Sequence, residues 1–262
     1  MQRVRCVWAR AQQWLQGPRL PALDPELAGR EKVFRAPPFT PEIVAAIRLI
    51  APQFALRPDE ASRRYWEADQ NGACWGEYEA LRSVLEKLPA PAKVLEIGPG
   101  LGRSVVFFRQ KLGWQSAEYH LYEGGGETTR YTLLGPRFED SFCGNLAVLR
   151  QMLAYNEVEN VTIHDAHALD GRLSRLPGPY DIVYGFYSIG FHWSLEHFFD
   201  EVLALLHETS VAFFTVPQHF EPFPALAEVP HRVLRWNAAW PKGREHRILL
   251  LSKSARPGLS PG

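Results

Sequence analysis

The sequence predicts an α/β fold, in which a largely parallel sheet carries helices on both faces and follows a helical N-terminal segment. Residues 93–104 form a buried-strand pattern that runs into a glycine-rich loop opening a helix. Strand-like segments then recur along the chain, separated by loops and helix-period segments, as parallel strands with crossover connections require. These later segments are residues 117–122, 161–163, 180–186, 211–216, 232–236 and 247–251.

In the glycine-rich loop after the first strand, the spacing of the glycines indicates which class of ligand the loop can bind. Gly98, Gly100 and Gly102 occupy alternate positions, so the backbone can turn sharply and lie against a ligand. The helix that follows presents unpaired N–H groups to that ligand. A dinucleotide loop has the spacing G-x-G-x-x-G, whereas here the third glycine comes one residue earlier. The spacing therefore disfavours an NAD-dependent oxidoreductase, and the alternative without a ligand is a tight strand-to-helix turn.

With Glu96 and Pro99, this loop resembles the first motif of the class I S-adenosylmethionine (SAM)-dependent methyltransferases. A longer resemblance, to bacterial sugar O-methyltransferases, covers most of residues 70–216. Its matching stretches are 71–72, 77–79, 96–104, 119–123, Tyr131, 140–145 and 186–193. The resemblance implies a Rossmann-like, seven-stranded class I methyltransferase sheet, SAM as the cofactor, and a small-molecule acceptor, with a hydroxyl of a sugar or natural product as the methylated group.

Cofactor-binding residues are expected at the carboxyl ends of the strands, where open parallel sheets bind their ligands. Glu123, at the tip of the second strand, is positioned to accept hydrogen bonds from both ribose hydroxyls. In the resembling family an acid after the third strand binds the adenine edge together with a neighbouring N–H, and Asp165 and Ala166 occupy that position. The predicted cofactor-binding residues are Glu96, Gly98, Pro99, Gly100, Gly102, Arg103, Ser104, Glu123, Gly124, Asp165, Ala166 and Phe186.

The acceptor side is expected in the loop after the fourth strand. Methyl transfer from a sulfonium depends mainly on positioning, but an alcohol acceptor also loses a proton, which predicts a general base. We predict His192 as that base, with His167 and His219 in reserve, and Tyr187 as a residue that orients the acceptor. The alternative for His192 is a histidine that only packs and hydrogen-bonds. The predicted acceptor-binding residues are Ser188, Trp193, Trp75 and His219.

Composition narrows the class of protein. The chain has 29 basic and 29 acidic residues, so its zero net charge gives no electrostatic case for a nucleic-acid partner. Three dispersed cysteines indicate neither a disulfide framework nor a zinc site. Asp165 and Asp170 are the acids available as metal ligands, and because neither has an acid next to it we predict no metal. No apolar run is long enough to span a membrane. A cytoplasmic location is the expectation, and a homodimer is a further one. The absence of an Asn/Asp-Pro-Pro-Tyr loop favours an oxygen or carbon acceptor over an amino group.

The predicted domain organisation has three parts. Residues 1–90 comprise a basic N-terminal helix, a proline-rich linker over 17–41 and a helical cap; residues 91–255 form the SAM-binding methyltransferase domain, and residues 256–262 a disordered tail. In the cap, one helix begins at Pro41 with Thr40 as its N-cap, and two more are predicted over 58–69 and 75–88. The basic helix is interpreted as a docking helix or a frayed terminus, with a membrane-surface or targeting role as the alternative.

An alternative function for the whole chain is a non-catalytic one. A protein of the methyltransferase fold can bind SAM or its product, S-adenosylhomocysteine, as a structural or regulatory ligand. Since the glycine loop is the same in both cases, the sequence alone does not separate a binding protein from an enzyme.

Overall fold

The computed structural model describes residues 20, 29–50, 56–124, 145–237 and 245–254, so the predicted basic N-terminal helix and the predicted tail lie outside the described residues. Six α-helices fall in these ranges: α1 (Pro41–Ile50), α2 (Glu60–Leu85), α3 (Arg103–Lys111), α4 (Leu146–Tyr155), α5 (Leu195–Ala204) and α6 (Pro224–Ala227). The strands are β1 (Lys93–Ile97), β2 (Glu118–Glu123), β3 (Val161–Asp165), β4 (Tyr180–Gly185), β5 (Ser188–Trp193), β6 (Leu206–Val216), β7 (His231–Asn237) and β8 (Glu245–Leu251).

Seven of these strands form one mixed sheet in the order β3-β2-β1-β4-β6-β8-β7. Strands β1 to β4 and β6 run parallel, and β8 is antiparallel to both β6 and β7. This arrangement confirms the predicted Rossmann-like, seven-stranded class I methyltransferase sheet. The strand order reverses between β1 and β4, which places the expected ligand site at the carboxyl ends of those two strands.

Helices cover both faces of the sheet, as predicted. In β1, Val94 packs into the core cluster that contains α3 and α4, whereas Leu95 and Ile97 pack into the cluster that contains α5. Because successive side chains of a strand point to opposite faces, a parallel strand that is buried on both faces has a continuous apolar sequence. The same property made β1, β4 and β6 recognisable in the sequence.

The cap differs from the prediction in its helix count. Helix α1 begins at Pro41, with the Thr40 hydroxyl accepting from the Ile43 N–H at 3.3 Å, as predicted. The prediction of separate helices over 58–69 and 75–88 is wrong, because one 26-residue helix, α2, spans both. None of the helices in the described ranges has both the length and the apolar character that a membrane crossing needs.

Asn71 explains why α2 continues through residues 70–74, which the prediction left between two separate helices. Its side-chain oxygen accepts from the N–H groups of Val33 and Phe34 at 2.8 and 2.9 Å. Its side-chain nitrogen donates to the carbonyls of Phe34 and Glu67, both at 2.8 Å. Four bonds made by one buried side chain outweigh the low helix propensity of asparagine and glycine, which is of the order of 1 kcal/mol per residue.

Residues 30–40 form a segment that we call the strap. It is extended, as the prolines predicted, but it is not a free linker, since Val33, Phe34 and Ala36 are buried. Asn156, at the end of α4, accepts from the Arg35 N–H at 2.8 Å and donates to the Arg35 carbonyl at 2.9 Å. Together with Asn71, this contact ties the cap to α4.

Residues 187–193, predicted as a loop, instead contain strand β5, which packs beside β6 and is not among the seven strands of the sheet order. Ile189 and Trp193 are buried within it. Gly190 has a φ of +84°, and a Cβ on it would lie 3.2 Å from the Thr215 carbonyl oxygen. A glycine at this position therefore allows β5 to lie close to the backbone of β6.

Candidate functional site

The glycine loop lies at the carboxyl end of β1, where the strand order reverses. Gly98, Gly100 and Gly102 have φ values of +70°, +58° and +79°, a region that favours glycine. The Gly98 N–H donates to the Tyr122 carbonyl at 2.8 Å, which fixes the start of the loop against β2. The Gly102 N–H donates to the Pro99 carbonyl at 2.9 Å and closes the turn into α3.

Gly98 and Gly100 differ in how closely other residues approach them. A Cβ on Gly98 would lie well short of van der Waals contact distance from Ser188 Cβ, and 3.0 Å from Ser188 Oγ. A Cβ on Gly100 would meet no atom of the described residues within 4 Å. Within the described part of the chain, the loop is thus packed against β5 at Gly98 and open at Gly100.

Glu123, the last residue of β2, is buried and holds the loop directly. Its Oε2 accepts from the Gly100 N–H and its Oε1 from the Gly124 N–H, each at 2.9 Å. Burial raises the pKa of this carboxyl to about 7, although the two N–H groups act in the opposite direction. Because each carboxylate oxygen has two lone pairs, one on each oxygen remains after these two bonds.

Glu96, in β1, is a second buried carboxyl beneath the loop. It accepts hydrogen bonds from the Ser104 hydroxyl and, at 2.9 Å, from the Tyr184 hydroxyl. Burial raises its pKa to about 7 against the effect of both hydroxyls. The contacts of Glu96 and Ser104 thus join β1, β4 and the first turn of α3, and a direct role for them in cofactor binding stays a prediction.

Asp165 lies beside Glu123, since the two residues pair in the register of β2 and β3. Its Oδ1 accepts from the His167 N–H at 2.9 Å. The Ala166 N–H donates to the Glu123 carbonyl at 2.9 Å, so the sheet already uses the N–H that was predicted to contact adenine. Gly124 lies against Ala166, with 3.9 Å between a Cβ built on the glycine and that of Ala166.

Arg103, the first residue of α3, binds the cap. Its two terminal nitrogens donate to the two carboxylate oxygens of Glu77 at 2.8 and 2.6 Å, and Cys74 Sγ accepts at 3.1 Å. Burial disfavours the charge on Arg103, but Glu77 outweighs this and raises the pKa of the guanidinium well above its usual range. Glu77 was not predictable as a functional residue, because a single acid on a helix carries no local signal of a partner 26 residues away.

The connection from β4 to β5 completes the site. Tyr187 has a φ of +55°, which is rare for an aromatic residue and is typical of strained functional positions. Burial raises the pKa of its hydroxyl, with Glu77 adding to the rise and Arg103 opposing it. Ser188 Oγ donates to the Ile97 carbonyl at 2.5 Å. Phe186 is buried and stacks on Phe108, with 5.6 Å between ring centroids.

The other predicted acceptor residues are dispersed. His192 lies in β5, but its side chain is outside the described part of the structure. Trp193 is buried and contacts Phe198. His167 and His219 are exposed, after β3 and β6 respectively.

Trp75 lies away from the glycine loop. Its ring packs on Phe107, with 5.2 Å between centroids, and Lys111 Nζ lies 4.6 Å from the ring centroid. Its indole N–H donates to the Glu31 carbonyl at 3.0 Å. These contacts join the cap to the later turns of α3. In the described ranges no group of three or more His, Cys, Asp and Glu side chains is arranged to hold a metal ion.

Comparisons with known proteins give likenesses of fold. No protein-family model matches the chain, and a search of curated proteins gives no match. Among solved structures, precorrin-6Y C5,15-methyltransferase from Geobacter metallireducens has a TM-score of 0.46 and 19% identity, over 68% of this chain and 89% of that one. Spermidine synthase in complex with a transition-state analogue has a TM-score of 0.49 and 18% identity, over 73% and 64%. Cofactor-bound Rv0187 from MTB has a TM-score of 0.47 and 15% identity, over 84% and 100%.

Proposed function

We propose that this protein is a SAM-dependent methyltransferase that acts on a small molecule, with a hydroxyl of a sugar or natural product as the acceptor. One observation carries the proposal. At the reversal of strand order, no described residue would contact a Cβ on Gly100, while the acid at the tip of β2, Glu123, holds the Gly100 N–H. A glycine-lined space beside a strand-tip acid is the arrangement expected for a nucleoside ligand.

The residues around this space fit the adenosine part of SAM. The remaining lone pair on each Glu123 oxygen is available to one of the two ribose hydroxyls. Asp165, next to Glu123 in the register, has a carboxylate that is only half-buried and can accept from the exocyclic amino group of adenine. When bound, SAM supplies an electrophilic methyl group on a sulfonium, and the chain's own task is to hold the acceptor oxygen in line with it.

On the acceptor side we assign proton removal to His192 and orientation of the acceptor to Tyr187. The acceptor hydroxyl would pass its proton to an imidazole nitrogen of His192 as its oxygen takes the methyl group, while the sulfur–methyl bond breaks and S-adenosylhomocysteine is left as the product. The location of β5 supports this assignment, because Ser188, its first residue, contacts the glycine loop and the end of β1. Residues that follow Ser188 therefore begin beside the proposed cofactor.

The test is calorimetric titration of the protein with SAM, S-adenosylhomocysteine and NAD. We expect binding of the first two and none of NAD, and NAD binding without SAM binding would overturn the proposal. Glu123→Ala should weaken SAM binding, since hydrogen bonds to a charged group are worth about 1.5–3 kcal/mol each. SAM binding without transfer to any of a panel of sugars and natural products would favour the non-catalytic alternative.

A matched pair of glycine variants locates the ligand. Gly100→Ala adds a methyl group to the open space beside the loop, and we expect SAM affinity to fall about tenfold or more, equivalent to about 1.4 kcal/mol. Gly113→Ala introduces similar backbone strain, since Gly113 has a φ of +71° and lies beyond the far end of α3. It should leave SAM affinity unchanged. Equal affinities in the two variants would show that the ligand does not lie against Gly100.

A further inference from the structure

The contact between Arg103 and Glu77 links two parts of the chain that the proposed function treats separately. Glu77 belongs to the cap helix α2, and Arg103 is the residue that directly follows the glycine loop. The pair is bidentate, and the two side chains are 15% and 1% exposed. It is thus the point at which the cap holds the first turn of α3.

The location of this pair is unfavourable for Arg103 taken alone. The N-terminus of a helix carries a partial positive charge, so acids are stabilising there and a base is not. Removing two charges from water also has a large desolvation cost, which the pair's own attraction recovers only in good geometry. An apolar pair of similar volume would join α2 to α3 at least as well. A role beyond packing therefore needs to be considered.

We propose that Glu77 is a positioning residue for the cofactor loop: it fixes the first turn of α3 against the cap and neutralises Arg103 beside a site for a cationic ligand. This inference rests on the proposed function. SAM carries a positive sulfonium, whereas its product S-adenosylhomocysteine is neutral. An Arg103 without its partner would repel the first ligand and not the second.

Tyr187 extends the same contact to the acceptor side. Its side chain is partly buried, and burial raises the pKa of its hydroxyl, with Glu77 adding to the rise and Arg103 opposing it. The three residues come from α2, α3 and the β4–β5 connection, so the charges of the pair act on the proposed acceptor side as well as on the cofactor loop. Loss of Glu77 should therefore increase the local mobility of the glycine loop as well as lower global stability.

The experiment compares Glu77→Gln with Glu67→Gln. Glu67 is a matched control, because it is also a buried acid of α2 and also pairs with an arginine, Arg63, at 3.3 Å. It accepts from the Ala36 N–H in the strap, and in the described part of the structure its carboxylate contacts Ala36, Arg63 and Lys32 rather than the glycine loop. Both variants are studied at a temperature at which circular dichroism shows them folded. The two readouts are amide hydrogen exchange of residues 97–104 and the dissociation constants of SAM and S-adenosylhomocysteine.

We expect Glu77→Gln to accelerate exchange in residues 97–104 and to weaken SAM binding about tenfold, with a loss about threefold smaller for S-adenosylhomocysteine. Glu67→Gln should change neither readout. Unchanged loop exchange in Glu77→Gln, or equal changes in the two variants, would overturn the positioning role. Equal losses for SAM and its product would overturn the charge-neutralising role.

Two further comparisons cover the cases in which Glu77→Gln does not fold or the wild-type protein binds neither ligand. If Glu77→Gln does not fold, the double variant Glu77→Leu/Arg103→Met replaces the pair with apolar side chains, a change that is often neutral for stability. If amide exchange of residues 97–104 in that variant matches the wild-type rate, the pair acts only through packing and the positioning role is overturned. If the wild-type protein binds neither SAM nor its product, the proposed function fails, whereas the exchange comparison still decides whether Glu77 positions the loop.

Discussion

Gly98→Ala should destabilise the protein far more than Gly100→Ala, although the two glycines lie in the same loop. Both have a positive φ, +70° and +58°, so both variants place an L-residue in the left-handed region. That strain amounts to about 1–2 kcal/mol. Of the two, Gly98 alone has a described residue in the way, because its new methyl group would overlap Ser188.

The size of the difference follows from how firmly Ser188 is held. Its Oγ donates to the Ile97 carbonyl, it is buried, and it begins β5, so relief of the overlap requires the backbone to shift. Overpacking of this kind costs about 1–3 kcal/mol. The unfolding free energy should therefore fall by about 2–5 kcal/mol for Gly98→Ala and by about 1–2 kcal/mol for Gly100→Ala.

Urea unfolding followed by tryptophan fluorescence measures both changes. The decisive control is Ser188→Gly, which removes the obstructing atoms and leaves Ser188 Cα 3.7 Å from the new methyl carbon, an ordinary contact. In that background Gly98→Ala should cost only the strain, so the double-mutant cycle should give a coupling of about 1–3 kcal/mol. Equal losses at Gly98 and Gly100, or a full Gly98 penalty in the Ser188→Gly background, would refute the reasoning.

Three other outcomes are expected. The folded-state pKa of Glu96, about 7, lies above its usual 4.5, so the stability of the wild-type protein should fall as pH rises between these values. The melting temperature of Glu96→Gln should therefore rise relative to that of the wild type from pH 5 to pH 8. A difference in melting temperature that stays constant with pH would argue against a protonated Glu96. Asn71→Ala removes the three bonds that hold the strap and one to the Glu67 carbonyl within α2. It should lower the free energy of unfolding by about 2–4 kcal/mol in urea titrations, and a loss under about 1 kcal/mol would contradict this account. His192→Ala should lower turnover about 10²- to 10⁴-fold with unchanged SAM affinity, and normal turnover in a folded variant would transfer the role to His167 or His219.

The sheet and the loop were predictable because their signals are local. A strand buried on both faces has a continuous apolar sequence, and a backbone that needs a positive φ selects glycine, as at Gly98 and Gly102. Glu123 was also predictable, because the end of a strand fixes where its side chain lies relative to the sheet. Its bond to the Gly100 N–H was not, since that bond depends on the register between β1 and β2.

The features that the sequence did not predict depend on distant partners. Helix α2 continues through Asn71 because the strap, 37 and 38 residues away, supplies hydrogen-bond partners. Glu77 acquires its role from Arg103 in the next helix. Local propensity contains no information on such contacts, so the sequence predicted a helix break in the first case and no role in the second.

The glycines at the strand-order reversal also show why a motif underdetermines a site. Gly98 is a glycine because Ser188 lies against it, and Gly185, at the end of β4, is one because a Cβ there would lie 2.5 Å from Ser188 Oγ. Gly100 has no such neighbour among the described residues. Two of these three glycines thus make room for β5, and only at the third is the described part of the structure open to the proposed ligand. It follows that the segment carrying the proposed base is packed into the same junction as the glycine loop, so one set of backbone contacts would fix the proposed acceptor and cofactor relative to each other.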